Sequence, residues 1–356
     1  MLSPSSLAFL KRLLDTPAPS GFEGPAARVW REEAATFADK VTSDVAGNSM
    51  AEINPNGSPT IMLDGHIDEI GLIVQYIDDD GFVYPSPIGG WDPQVLIGQR
   101  IRFLGRGGDV LGVVGKKPIH LMKTSDREAA SKFTDLWVDI GASSRAEAEG
   151  RLSVGDPGVI DSKTIDFPNN RIVSRSIDDR IGAFVVLEAL RRYAQNPGSA
   201  RVVAAATTQE EIAWHGGGAL VCTNCIQPQM AIVVDVTFAT DHPNIEKKEI
   251  GDHKIGGGPV LARGAVISPV VFEMLRSNAD RQGIKYSVHA AGRDTSTNAD
   301  AIHLSREGVA TGLVSIPNRY MHSPNELVSL DDVDKTATLL AEVCREVTGK
   351  TDFTAR

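Results

Sequence analysis

The chain has 356 residues, 42% of them hydrophobic and 23% charged, the balance of an ordinary globular protein with room for one large domain or two modest ones. Its net charge of −10 argues against nucleic acid as the main partner, because phosphate binding needs a basic face. Three cysteines suit a reducing compartment without a disulfide framework, no apolar run reaches the ~18 residues of a membrane span, and the N-terminus reads as a short amphipathic helix rather than a signal peptide, so a cytoplasmic protein is expected.

Residues 3–15 and 24–37 are expected to be helical, with the breaker cluster TPAPSG between them. Residues 60–64 read as a buried strand. From Gly71 to Asp161 the texture changes to short β-rich runs and glycine-rich turns, broken only by a short helix near 143–150. That texture predicts a small β barrel or sandwich. After Asp166 strands and helices alternate. SIDDRIGAFVVLEALRRYAQ reads as a helix, RVVAAATT and MAIVVDV as strands, and SPVVFEMLRSNADRQG as a helix before KYSVHAA. ADAIHLSREG reads as a further helix and ATGLVSIP as a strand. In the closing helix Val333, Leu339, Leu340, Val343, Cys344 and Val347 share one face. The expected organisation is an α/β domain of residues 1–70 and 162–356, split by a β domain of residues 71–161.

Polar residues cluster where the apolar runs stop. TIMLDG leads to His66 and Asp68, RVVAAATTQ to Glu210 and Glu211, and MAIVVD ends at Asp235. ATGLVSIP is followed by His322, and SIDDRIG puts Asp178 and Asp179 at a helix start. In open α/β sheets ligands bind beyond the carboxyl ends of strands, so these ends would meet at one place. Taken singly each piece has a bland explanation: Asp178 as a helix N-cap, the glutamates as a solvated loop pair, either histidine as a structural residue. Together they form the kit for a dinuclear metal site. Two hydrolytic metals sit roughly 3.5–4 Å apart, and a carboxylate must bridge them against their repulsion. Imidazole and carboxylate suit zinc and its divalent neighbours. Asp68, two residues after His66 and on the same side of a strand, could hold the far nitrogen of that ring. One of two adjacent glutamates could ligate while the other acts as general base.

With these residues assembled, the chain resembles the tetrahedral (TET) aminopeptidases, metallopeptidase family forty-two, which include glutamyl, leucyl and deblocking aminopeptidases. The resemblance runs through SGFEG, DGHIDEIG, GGWDPQVLIGQR, VDIGASSRAEAE, VGDPG, SRSIDDRIGAF, TTQEE, VVDV and AIHLSREGVATGLVSIPNRYMHSPNE. It implies a mixed-sheet, three-layer α/β metallopeptidase domain with an inserted β-barrel-like dimerisation domain. It implies two divalent ions, zinc or else cobalt or manganese. His66 and Asp235 would hold one, Glu211 and His322 the other, and Asp178 would bridge them. Asp68 would stand behind His66 and Glu210 would be the general base. Short peptides would be the substrates, and six dimers would build a hollow dodecamer with the sites facing inward.

The chain departs from the family pattern in two places. After the glutamates it reads IAWHGGG, where His215 is a candidate substrate-facing group. GRDTSTNAD puts Thr297 and Asn298 where the family has Thr-Asp, with Arg293 just upstream; these three are candidates for the first substrate pocket, where Arg293 would suit an acidic side chain and an aliphatic preference stays equally open. CTNC has the spacing of a thiol pair but no second pair, and is expected to be two buried thiols on a helix. GGGP at 256–259 lacks the companions of a phosphate loop and is expected to be a flexible loop. Two alternatives stay open: a deacylase using the same metals, and a non-catalytic peptide-binding cage.

Overall fold

The computed structural model describes residues 1–213 and 216–355. The chain begins with α1 (Pro4–Asp15) and α2 (Gly24–Ala34), then β1 (Lys40–Ser43), β2 (Ser49–Ile53) and β3 (Thr60–His66). Six strands follow: β4 (Gly71–Ile77), β5 (Val83–Ile88), β6 (Arg100–Gly105), β7 (Gly108–Gly115), β8 (Trp137–Asp139) and β9 (Pro157–Ile160). Among them are the short helices α3 (Pro93–Leu96), α4 (Thr124–Arg127) and α5 (Arg145–Glu149). The chain continues through β10 (Ile165–Phe167), β11 (Arg171–Ser174), α6 (Ile177–Gln195), β12 (Arg201–Thr207), α7 (Gly217–Ile226) and β13 (Met230–Phe238). It ends with α8 (Lys247–Ile250), β14 (Val260–Gly264), α9 (Pro269–Gln282), β15 (Ser287–Ala291), α10 (Ala299–Ile302), β16 (Ala310–Asn318), β17 (Glu326–Ser329) and α11 (Leu330–Glu346).

An eight-stranded mixed sheet runs β1-β2-β12-β3-β13-β16-β14-β15. Its centre, β12-β3-β13-β16, is parallel. These four strands are near-continuous Val, Ile, Leu and Ala and are buried almost throughout, as expected of parallel strands covered on both faces. On one face α6 packs across β3, β12 and β13 and is itself overlaid by α1 and α11, so its apolar residues run all round rather than along one stripe. On the other face α7 lies over β12 and β3, and α10 over β13 and β16.

One close approach sets the register between helix and sheet. A Cβ on Gly65 of β3 would lie 2.4 Å from the backbone of Gly182, and a Cβ on Gly182 would lie 2.2 Å from the Asp179 carboxylate. Two glycines therefore let the start of α6 sit directly on the last residues of β3.

The six strands β4-β5-β8-β7-β6-β9 close into an antiparallel barrel around a core of its own that includes Leu72, Val83, Ile101, Phe103 and Val138. Elsewhere the structure adjusts expectation. ADAIHLSREG forms a single turn, α10, after which the chain breaks into tight turns, Ser305 bonding back to Ile302 and Gly308 to Ser305, with positive φ at Arg306 and Gly308. On α7 Cys222 is buried as expected but Cys225 is exposed. The turn at Gly256–Gly258 is held by the Asp332 carboxylate, which accepts from both glycine amides.

Candidate metal centre

The carboxyl ends of the four central parallel strands lie side by side, and each delivers polar residues to the same place. β3 ends at His66. β12 ends at Thr207, three residues before Glu210. Asp235 sits near the end of β13, and the turn after β16 carries His322. α6 adds Asp178 and Asp179 from behind; neither has helical dihedrals and the peptide between them is cis. Asp178 is thus not the N-cap; Asp179 is, its Oδ1 accepting from the Gly182 amide at 3.1 Å at the start of the helical run proper.

Asp178 lies between the two histidines. Its Oδ1 is 3.2 Å from His66 Nε2 and its Oδ2 is 3.4 Å from His322 Nε2. Glu211 Oε2 is 3.3 Å from the same His322 nitrogen, and Glu210 Oε2 is 3.8 Å from His66 Nε2. Two groups offer ligand atoms that all lie within 4.8 Å of one another: His66 with Asp178 and Glu211, and His66 with Asp179 and Asp235. Asp179 had been no more than the neighbour of a candidate; its closeness to Asp235, far away in sequence, has no local signature.

Several of these groups are positioned by neighbours. Asp68 is fully buried. Its Oδ1 stands 3.4 Å from His66 Nδ1 and accepts from the Glu210 amide at 3.2 Å, while its Oδ2 accepts from the Glu211 amide at 3.1 Å. One carboxylate therefore aligns the first histidine with both glutamates. His322 faces the backbone carbonyl of Gly90, in the barrel loop after β5, with 2.7 Å from Nδ1 to oxygen. The carbonyl can only accept, so Nδ1 carries a proton, and Nε2 is the nitrogen turned toward Asp178 and Glu211, the one that could offer a lone pair to a cation. Glu326 accepts from the Asp178 amide through Oε2 and from the His322 amide through Oε1, both at 2.9 Å. Beneath them Glu69 pairs with Arg175 and, at 2.7 Å, with the wholly buried Arg180. Arg180 also donates to the carbonyls of Ile67 and Ala18, tying the loop after α1 to the end of β3. Glu326, Glu69, Arg175 and Arg180 escaped the sequence reading because their partners come from distant segments.

The electrostatics show a shortage of positive charge. Burial pushes Asp179 and Asp235 well above the carboxylate range, with help from neighbouring acids. Burial, opposed by His66 and reinforced by the charges of Glu211, Asp178 and Asp68, pushes Glu210 up to about 8. Burial works against charge on both histidines, yet their carboxylate partners, Asp178 foremost, hold His66 well above its usual value and His322 up to about 11. Asp178 is the exception among the acids: burial opposes its charge, but the His322 and His66 rings pull it below the usual range. Asp179 Oδ2 and Glu211 Oε1 are buried without a hydrogen-bond partner among the described residues. No lysine or arginine pairs with Asp178, Asp179, Glu210, Glu211 or Asp235 among the described residues; Arg175 and Arg180 are taken by Glu69. Orphaned carboxylate oxygens, two imidazoles and a surplus of acid fit divalent cations.

Beside Glu210 and Glu211 opens a cavity of about 560 Å³. Thr297 and Asn298 belong to its wall, but Asn298 is buried and its amide donates to Asp64 Oδ2 at 2.8 Å and Thr207 Oγ1 at 3.0 Å, which marks it as a structural support. Arg293 is exposed and does not line the cavity; its neighbour Asp294 does. His215 lies outside the described residues.

Comparison with known proteins identifies the family. Residues 47–339 match the M42 glutamyl aminopeptidase family. The chain belongs to that family. It is 36% identical to a lysyl aminopeptidase of Pyrococcus furiosus over 95% of this chain and 96% of the relative. It superimposes on a TET aminopeptidase from a Thaumarchaeota archaeon with a TM-score of 0.92 and 32% identity, covering 97% of each. The Pyrococcus horikoshii TET1 peptidase, which can assemble into a tetrahedron or a large octahedral shell, matches with a TM-score of 0.83 and 29% identity over 96% of this chain and 100% of that one. M42 membership makes the chain a metal-dependent hydrolase of the aminopeptidase type.

Proposed function

We propose that this chain removes N-terminal residues from short peptides, using two divalent ions and Glu210 as general base. One observation carries the reading: Asp178 presents one oxygen to His66 and the other to His322, directly beside a Glu210 that borders an open cavity. His66 and Asp235 would hold one ion, with Asp179 close enough to join them, and Glu211 and His322 the other, with Asp178 shared. Zinc suits this donor set, as do cobalt and manganese. Bound there, the ions would supply an acidified water and an electrophile for the scissile carbonyl.

The protein's own groups do the rest. Glu210, strengthened as a base by burial and by its acidic neighbours, accepts a proton from the attacking water and returns it to the leaving amine. Asp68 fixes the backbone of both glutamates, so Glu210 faces the cavity while Glu211 stays on His322. The carboxylates around the site read the substrate's free amino group. The barrel carries apolar side chains to its surface, among them Leu111 at 56% and Leu121 at 69% exposure. By likeness to the TET peptidases these would be covered by a second copy, dimers being the unit of a dodecamer.

The test is hydrolysis of aminoacyl chromogenic amides by metal-loaded protein, each beside its N-acetylated twin. Cleavage of free-amine substrates alone, lost with chelator and in Glu210→Gln, is expected. Cleavage of the blocked twins would instead make the chain a deacylase, and no cleavage with two metals bound would leave a peptide-binding cage. Sedimentation velocity gives the assembly size directly.

A further inference from the structure

The cavity beside Glu210 carries information about which side chain it takes. Its wall has an apolar part, contributed by Ala213, Leu220, Ala301 and Leu304, and an acidic part, contributed by Asp294 and Asp300. No lysine or arginine occurs among the described residues that line it. The two acids differ. Asp300 is engaged, accepting from the Thr295 and Ser296 amides and the Thr295 hydroxyl. Asp294 is exposed, and among the described residues neither it nor Arg293 has an ion-pair partner. Glu211 Oε1, buried and without a hydrogen-bond partner, borders the same space.

We propose that this cavity is the pocket for the substrate's first side chain and that Asp294 selects basic residues, lysine and arginine, there. The inference rests on the aminopeptidase reading. A long basic side chain has an apolar stem and a charged head, and the wall offers a surface for each. An acidic side chain would meet two carboxylates and no cation, a repulsive arrangement that gives specificity by rejection as well as by attraction. The sequence left acidic and aliphatic side chains equally open beside Arg293; in the structure it is the adjacent Asp294, not Arg293, that lines the cavity.

The experiment compares Lys, Arg, Leu and Glu amides on metal-loaded wild type, Asp294→Asn and Asp294→Lys. We expect Lys and Arg to be cleaved best and Glu worst. An exposed carboxylate acts through water, so Asp294→Asn should cost roughly three- to tenfold in kcat/KM on Lys, mostly through KM, and leave Leu unchanged. Asp294→Lys should raise Glu relative to Lys, and added salt should shrink the Lys preference of wild type. Unchanged melting temperatures in the variants keep the effect separate from folding. Calorimetric titration of lysinamide, leucinamide and the α-amide of glutamate into metal-loaded Glu210→Gln protein decides the matter even if turnover is absent. Tighter lysinamide binding supports the proposal in that case too. A Leu or Glu preference, or a Lys preference untouched by Asp294→Asn, overturns it while leaving the aminopeptidase intact.

Discussion

Replacing Asp68 with asparagine tests how the centre is held together. The Asp68 side chain is fully buried and faces three donors: the Glu210 amide, the Glu211 amide and, at 3.4 Å, Nδ1 of His66. A carboxylate can only accept, so it bonds both amides and presents an acceptor to His66 Nδ1, which has no hydrogen-bond partner of its own among the described residues. An asparagine of nearly the same shape has one accepting oxygen and one NH2 group. Whichever way it turns, a donor meets a donor. If the NH2 group takes the place of Oδ2 it meets the Glu211 amide, a charge-assisted bond is lost and a buried N–H is stranded. If it takes the place of Oδ1 it meets the Glu210 amide and His66 Nδ1 together, and the ring is pressed to keep its proton on Nε2, the atom that would ligate.

A lost hydrogen bond to a charged group and an unsatisfied buried donor together cost about 3–5 kcal/mol. With an unfolding entropy of about 2.1 cal/mol/K per residue, a chain of 356 residues loses about 4–7 °C of melting temperature for that penalty. Metal affinity should fall roughly 10–100-fold, the usual cost of removing the carboxylate behind a ligating imidazole. The pH dependence follows from the same group. Burial opposes its charge, but the His66 ring and the Glu211 amide hold the Asp68 carboxyl below its ordinary value of 3.8. A depressed acid stabilises the fold above its unfolded pKa, and that stability is lost as pH falls through the folded one. Wild type should therefore show an acid limb below about pH 4 that Asp68→Asn lacks. Scanning calorimetry of metal-free protein, and titration of the loaded protein with a chromogenic chelator, measure both effects. Unchanged metal affinity in a folded variant would refute the assignment of Asp68 as the group that orients His66.

Three further outcomes are expected. Loading with zinc at about 100 times its dissociation constant should stabilise the protein by about 2.7 kcal/mol per site, and a chelator should reverse the gain in a thermal melt; equal melting with and without metal would argue against the fit of the acidic cluster to cations. Trp91→Phe removes the indole N–H that donates to the Gly71 carbonyl at 2.8 Å, next to the Gly90 carbonyl that faces His322; chelator titration should find one of two ions weakened, by roughly tenfold, and the other unchanged. Asn298→Asp would set a second acid against buried Asp64, which burial, eased by Asn298 and Thr207, already raises to about 6. An acid raised on folding is stabilising while protonated and loses that contribution as pH rises through its folded pKa, so the variant should melt lower at pH 8 than at pH 5 by more than wild type does.

The parts of the site that were legible from sequence are those with local causes. An apolar run that stops at an acid or a histidine marks a strand end, and four such runs proved to be adjacent parallel strands, β12-β3-β13-β16. The alternation of short β runs and glycine turns between Gly71 and Asp161 likewise marked a small β barrel or sandwich, and hydrogen bonding between first and last strands decides for the barrel. What stayed hidden depends on distance in sequence or on loop geometry. Glu326 serves Asp178 across 148 positions, and Arg180 serves the loop after α1 from the far side of the barrel insertion. Neither leaves a periodic trace. Arg293 and Asp294 are adjacent in a loop, where no periodicity says which side chain turns inward.

The placement of His322 bears on how the two halves of the molecule depend on one another. Its ring reaches Asp178 and Glu211 through one nitrogen and the barrel's Gly90 carbonyl through the other. The barrel loop is shaped for that contact. Gly89 adopts a left-handed conformation against Ile70, where a Cβ would lie 2.6 Å from the Ile70 side chain, and a Cβ on Gly90 would come within 3.4 Å of the His322 ring. The segment Ile70–Gly71 that Gly89 and Trp91 grip is also the link between β3, which carries His66, and the first barrel strand. One short loop thus joins the origin of the barrel to the tautomer of a candidate metal ligand. A shift of the barrel relative to the sheet would move Gly90 before it moved any ligand on the central strands, and His322 would feel it first. The half of the centre built on His322 and Glu211 is therefore the half whose metal affinity should depend on what the barrel touches.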